Sequence, residues 1–230
     1  MKRLLIISLM LALAACSTTT NIKNAATDKI SAPVANSKVL LIQPDVQLSI
    51  LTAAGLPESR QDWSNQGRDN LATSIKSAME GKSHRFEILD PRDSISDRSS
   101  QLLQLHDAVG QSIIAFNYGL YQLPTKKGSF DWTLGEGAQA LGRDQKADYA
   151  LFITGRGSYA SAGRKAVMVG MALLGVGVPL GGQSAFASLV DLHTGQVVWF
   201  NVAYAGPDDD MRSPAGAATL TTALLKGAPL

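Results

Sequence analysis

Cysteine is nearly missing: Cys16 stands alone in 230 residues. One thiol cannot close an intrachain disulfide or build a thiolate metal site, so the fold must rest on its apolar core. Histidine is scarce too. His84, His106 and His193 lie far apart, and none falls in an HExxH or comparable ligand spacing, which argues against a histidine metal centre. No cofactor is expected. A charge excess is also lacking: 21 Lys+Arg stand against 19 Asp+Glu, and Lys2 and Arg3 account for the net +2. The remaining chain is formally neutral, so no global field gathers nucleic acid or acidic lipid, and no nucleic-acid partner is expected. Trp63, Trp132 and Trp199 read as core or rim residues rather than a base-stacking set. No internal repeat is visible.

The organising stretch is at the start, MKRLLIISLMLALAAC. Lys2 and Arg3 make a positive n-region, residues 4–13 a nearly unbroken apolar h-region, and Ala14 and Ala15 place small side chains at a cut site. This is the length of a signal peptide and too short for a stop-transfer span. Leu13-Ala14-Ala15-Cys16 resembles the lipobox of bacterial lipoproteins. That resemblance implies a diacylglyceryl group on the Cys16 sulfur, cleavage before Cys16 by a dedicated signal peptidase that recognises Leu13, Ala14 and Ala15, and acylation of the new amine. Ser17, rather than Asp, as the next residue implies sorting to the outer membrane. Acyl chains of this kind would hold the protein firmly on a bilayer.

The expected division is therefore a signal peptide over 1–15, a lipidated N-terminus and flexible tether over 16–37, and one α/β domain over 38–230. The tether assignment rests on Ser, Thr, Asn and Ala in place of large apolar side chains. Lys38-Val39-Leu40-Leu41-Ile42 predicts a buried central strand, and 46–51 a short strand before a turn at Gly55. Leu71, Ile75, Ala78 and Met79 share one face of a helix over about 62–80, with Ser59 and Asp62 offering a capping box. Residues 85–89 predict a second strand. Leu102, Leu105, Val109, Ile113 and Phe116 mark a second helix from about Ser96.

Residues 117–133 read as a loop with a strand at 118–123, followed by a short helix over 134–141 stopped by Gly142. Residues 148–154 predict another apolar strand and 155–163 a flexible glycine and serine loop. The stretch 166–180 is apolar throughout, shorter than a membrane span, and loosened by Pro179 and its glycines. Two readings of it stand open. It is either a helix buried on the sheet, or an exposed element in which Met168, Met171, Leu173, Leu174, Val176 and Val178 touch a partner subunit or the membrane. Arg164-Lys165 just ahead of it suits lipid headgroups. A hairpin over 184–204 turning at His193-Thr194-Gly195, then a helix over 214–226, closes the chain.

With its elements in this order, the chain resembles the envelope lipoprotein fold shared by the curli secretion channel subunit and the penicillin-binding-protein activator lipoproteins. The likeness rests on the opening strand and helix, on Arg85-Phe86-Glu87-Ile88-Leu89-Asp90, and on Ala147-Asp148-Tyr149-Ala150-Leu151-Phe152 with the block from Leu189 to Trp199. Gly181-Gly182-Gln183 before the hairpin is similar to uncharacterised lipoproteins of the group. The resemblance implies one mixed sheet with helices packed against it, an apolar insert before a C-terminal β-hairpin, and action by binding. Two long alternating strands for a transmembrane barrel are lacking, which speaks against a pore.

Enzyme signals are thin. Gly155-Arg156-Gly157-Ser158-Tyr159-Ala160 fits GxGxxA after a strand, but no βαβαβ unit follows and no acidic residue ends a strand about twenty positions on. Ser158 and Ser161 lack a GxSxG elbow. Asp208-Asp209-Asp210 reads as a solvated acidic turn rather than a calcium loop. The expectation is a non-enzymatic outer-membrane lipoprotein that binds another envelope protein as an accessory or assembly factor. The alternative is a homo-oligomeric envelope complex or secretion-channel component in which 163–182 contributes the subunit contact or the membrane-inserting element.

Overall fold

The computed structural model describes residues 19–24, 33–90, 97–119, 121, 123–126, 129–206 and 209–230. Cys16, Leu13, Ala14 and Ala15 lie outside them, as does the signal-peptide reading. The strands are β1 (Thr19–Asn24), β2 (Lys38–Ile42), β3 (Asp45–Leu51), β4 (Pro57–Ser59), β5 (Arg85–Leu89), β6 (Tyr149–Ala160), β7 (Gly181–Asp191) and β8 (Val197–Ala205). The α-helices are α1 (Gln61–Met79), α2 (Asp97–Ile113), α3 (Gly135–Gln145), α4 (Ala162–Ala172) and α5 (Pro214–Leu224).

All strands join one mixed sheet, in the order β1-β8-β7-β6-β2-β5. The long β6 is its spine. β2 and then β3 pair in parallel along one edge of it, Leu40 opposite Ala150 and Ser49 opposite Ser158, while β7 runs antiparallel along the other. Strands buried on both faces read as unbroken apolar runs because each pleat direction meets a helix layer. In β2, Val39 and Leu41 face the core shared with Leu71 and Ile75 of α1 and Leu220 of α5, whereas Leu40 and Ile42 face Leu102 of α2 and Ala138 of α3. The mixed sheet with helices packed against it is the architecture expected from the sequence.

Several local expectations change. Residues 155–160 are not a loop but the second half of β6, hydrogen-bonded on both edges. Their glycines serve packing: a Cβ on Gly157 would come 2.9 Å from Leu48 Cδ2, and one on Gly155 3.3 Å from Met211 Sδ. A dinucleotide fingerprint needs a turn from strand into helix, and this segment continues straight. None of the described residues of 118–123 is in a strand. Instead α2 runs into a π-helical turn, Ile114–Tyr118. Gly142 does not stop α3, which ends three residues later where Lys146 adopts a left-handed φ of 49°. The Ser59–Asp62 capping box is absent, since Ser59 belongs to β4 and Arg60 is the N-cap. Ala78 is exposed, but Leu71, Ile75 and Met79 are buried as the periodicity required. Within the stretch read as a tether, 19–24 pairs antiparallel with β8, Thr19 opposite Tyr204. That pairing satisfies the backbone groups on the β8 side of a segment with few apolar side chains.

Candidate functional site

The distinctive surface lies where β6 hands over to β7. Ser161 is the N-cap of α4, its Oγ accepting from Arg164 N at 3.1 Å. No residue of α4 is buried. The helix closes through Leu174 N and Val176 N donating to Met171 O, with Gly175 at φ 74° taking the left-handed position that such closures require. The chain then returns to β7 through 176–180. Its base is clamped: Arg164 Nε donates to Pro179 O at 3.1 Å, and a Cβ on Gly181 (φ 95°) would lie 2.2 Å from Ser158 O. Beyond this base the segment stands off the domain, and a Cβ added at Gly170, Gly175 or Gly177 would meet nothing within 4 Å.

No residue of 166–180 is buried, so the segment is not a helix buried on the sheet. Leu173 and Leu174 are 85% and 75% accessible, and Val176 is exposed as well. Met168, Met171 and Val178 are half-buried. Val167, Val169 and Leu180 are exposed too, and sequence reasoning did not single them out although they share the same apolar run. Solvent exposure of such a run is not legible from hydropathy, which reports only that the segment avoids water.

Beneath the arm the polar groups close on one another. The Arg60 and Arg212 guanidinium groups both lie over the Trp63 ring, 4.2 and 4.5 Å from its centre, and Arg212 also covers Tyr159 at 3.4 Å. The Tyr159 hydroxyl lies 2.6 Å from Gln183 Oε1 and 2.8 Å from Asp210 Oδ1, and burial together with Asp210 pushes its pKa up. Burial works to raise the Asp210 pKa, but the Arg212 guanidinium and backbone N–H, with Tyr159, hold it below the usual carboxylate range. Asp209 is buried, and Asp210 is paired through Arg212, so the acidic turn expected to be solvated is largely built into the fold. Asp208 lies outside the described residues.

A second polar group sits inside the sheet. His106 of α2 places Nε2 2.6 Å from Ser188 Oγ of β7 and Nδ1 3.4 Å from Thr154 Oγ1 of β6. This is nucleophile-to-base spacing, which sequence inspection did not find because 82 residues separate the pair. Ser188 is 1% accessible and His106 3%, under the rings of Phe152 and Phe186 at 4.7 and 5.4 Å. The cluster therefore ties α2 to the sheet. Burial holds His106 neutral, with its pKa lowered to about 3, Asp107 opposing the shift and Arg156 adding to it. Nearby, Arg156 bridges Asp45 (2.7 Å) and Asp107 (3.0 Å). An open cleft of about 390 Å³ lies beside it between β3 and α1, lined by Asp45, Gln47, Gln61 and Arg68 among others. Among the described residues no group of three or more His, Cys, Asp or Glu side chains is placed to hold a metal ion. No described helix is long and apolar enough to cross a membrane.

No family model matches the chain, and no curated protein does. Solved structures give distant likenesses. The PelC dodecamer from Paraburkholderia phytofirmans is 14% identical over 93% of this chain and 96% of that one, with a TM-score of 0.39. Its L103M form is 16% identical over 93% and 98%, at 0.41. The LpoB C-terminal domain from Salmonella enterica is 14% identical over 78% and 87%, at 0.29.

Proposed function

We propose that the protein is an outer-membrane-anchored lipoprotein, held by acyl chains on Cys16, whose α/β domain works on the periplasmic side by binding rather than by catalysis, as an accessory or assembly factor. The exposure of 166–180 carries this reading. Contiguous apolar surface on a folded domain marks a protein or membrane contact, whereas Arg156, Asp45, Asp107, Tyr159 and Asp210 are engaged with one another. The same exposure favours a second reading, a homo-oligomeric envelope complex in which the arm packs between copies.

Mass spectrometry of the N-terminus and cell fractionation test the anchor. The natural product is expected to begin at an acylated Cys16, and Cys16→Ser to remain uncut or to leave the membrane. A Cys16→Ser product still cut before residue 16 and still membrane-bound would refute it. Cross-linking in intact cells followed by mass spectrometry identifies the partner: conjugates to another envelope protein support the accessory role, and conjugates only between copies support the oligomer.

A further inference from the structure

The strand registers place the arm and the start of β1 at one end of the sheet. β6 ends at Ala160 and β7 begins at Gly181, and the arm lies between them. Gln183 of β7 pairs with Ala205 at the end of β8, and Tyr204 pairs with Thr19, the first residue of β1. Thr19 is thus two strands from β7, about 10 Å across the sheet. Cys16 is three residues upstream of Thr19, and three residues of chain reach about 10 Å at most. Whatever holds Cys16 therefore holds this end of the sheet.

We infer that this end faces the bilayer and that the arm, residues 166–180, enters the boundary between headgroups and acyl chains beside the lipidated N-terminus. The inference rests on the acyl anchor proposed above. The occupant is lipid rather than a second copy for three reasons. The first is reach: a protein tied to the membrane at Cys16 cannot carry its arm far from it. The second is composition. From Ala166 to Gly182 no side chain is charged or polar, whereas a protein interface carries a polar rim. The cations sit just before the arm, Lys165 exposed beside the clamping Arg164, at the depth where phosphates would lie. The third is length. At 11 residues α4 is about 16 Å long, short of the ~30 Å hydrocarbon core but suited to shallow insertion. Other side chains at the same end agree. Leu56, in the turn between β3 and β4, is 66% accessible, and Tyr204 is exposed opposite Thr19. Together with the six arm residues they make eight of the twelve exposed large hydrophobic side chains among the described residues.

The test uses the full-length protein, processed in cells and reconstituted into phosphatidylethanolamine and phosphatidylglycerol vesicles. Leu174→Cys carries an environment-sensitive fluorophore, and Thr194→Cys, in the β7–β8 turn at the opposite end of the sheet, carries it as a control. Both positions are exposed, and retained melting temperatures confirm that the variants fold. The expected result is a blue shift at 174 with at least several-fold stronger quenching by nitroxide-labelled lipid than at 194. Acylated protein bound to vesicles with equal quenching at both positions overturns the inference. So does cross-linking of 174 to 174 between copies without lipid quenching. The N-terminal mass reads the anchor separately: if Cys16 proves bare, the same unacylated protein is added to vesicles, where quenching at 174 still supports arm insertion and its absence overturns it.

Discussion

His106 shows what a single buried polar residue contributes and when. Its pKa falls from 6.5 in the unfolded chain to about 3 in the fold, so between those values the unfolded state binds the extra proton. Stability from this residue is complete above about pH 6.5 and is lost as pH falls toward 3, by an amount on the order of a few kcal/mol. Denaturant titrations across that window should show the loss, and His106→Phe should flatten the slope without moving it to another pH. Ser188→Ala leaves an imidazole nitrogen without its short partner and should cost about 1–3 kcal/mol at neutral pH. Glycines divide in the same local way. Gly181→Ala meets both a left-handed φ and the Ser158 carbonyl and should lower the melting temperature, by strain of about 1–3 kcal/mol or more. Gly177→Ala enters open space, and its melting curve should overlay the parent.

At the scale of elements, β2 and the arm are similarly apolar and physically opposite. Leu40 is wholly enclosed between β6 and the α2–α3 layer, so Leu40→Ala removes packed methylenes and should cost about 2–5 kcal/mol in chemical denaturation. The double change Leu173→Ser and Leu174→Ser touches side chains in water and should shift stability by less than about 0.5 kcal/mol. A large destabilisation by the double change would mean that the arm packs on the domain after all. Helix α5 adds a different device. Asn201, buried in β8, donates from Nδ2 to Ala223 O at 3.1 Å and Leu224 O at 2.6 Å, pinning the helix's last carbonyls to the sheet.

For the whole molecule, the sheet has two unlike ends. One end gathers the arm, Leu56, Tyr204 and the first residue of β1; the other carries the polar His193-Thr194-Gly195 turn, where His193 Nε2 meets Asp148 at 3.1 Å. Under the proposed anchor, orientation on the membrane would follow from which end Cys16 adjoins. On intact vesicles, limited proteolysis should spare the 166–180 arm and reach the opposite turn first; cleavage in the arm at the rate seen in detergent would contradict that orientation.

The sequence alone determined the elements whose apolar period matched their burial: β2, the first half of β6 over 149–154, the β7–β8 hairpin, and the face of α1 with Leu71, Ile75 and Met79. The resemblance of Leu13-Ala14-Ala15-Cys16 to a lipobox is likewise a matter of local sequence, because such a signal is a short string rather than a product of the fold. Only the tertiary structure decided the rest. Whether 155–160 loops or pairs depends on the edges that β3 and β7 offer, and whether 166–180 is core or surface depends on whether any layer remains to cover it. Hydrophobicity states that a segment should leave water, but which neighbour removes it is a property of three-dimensional placement.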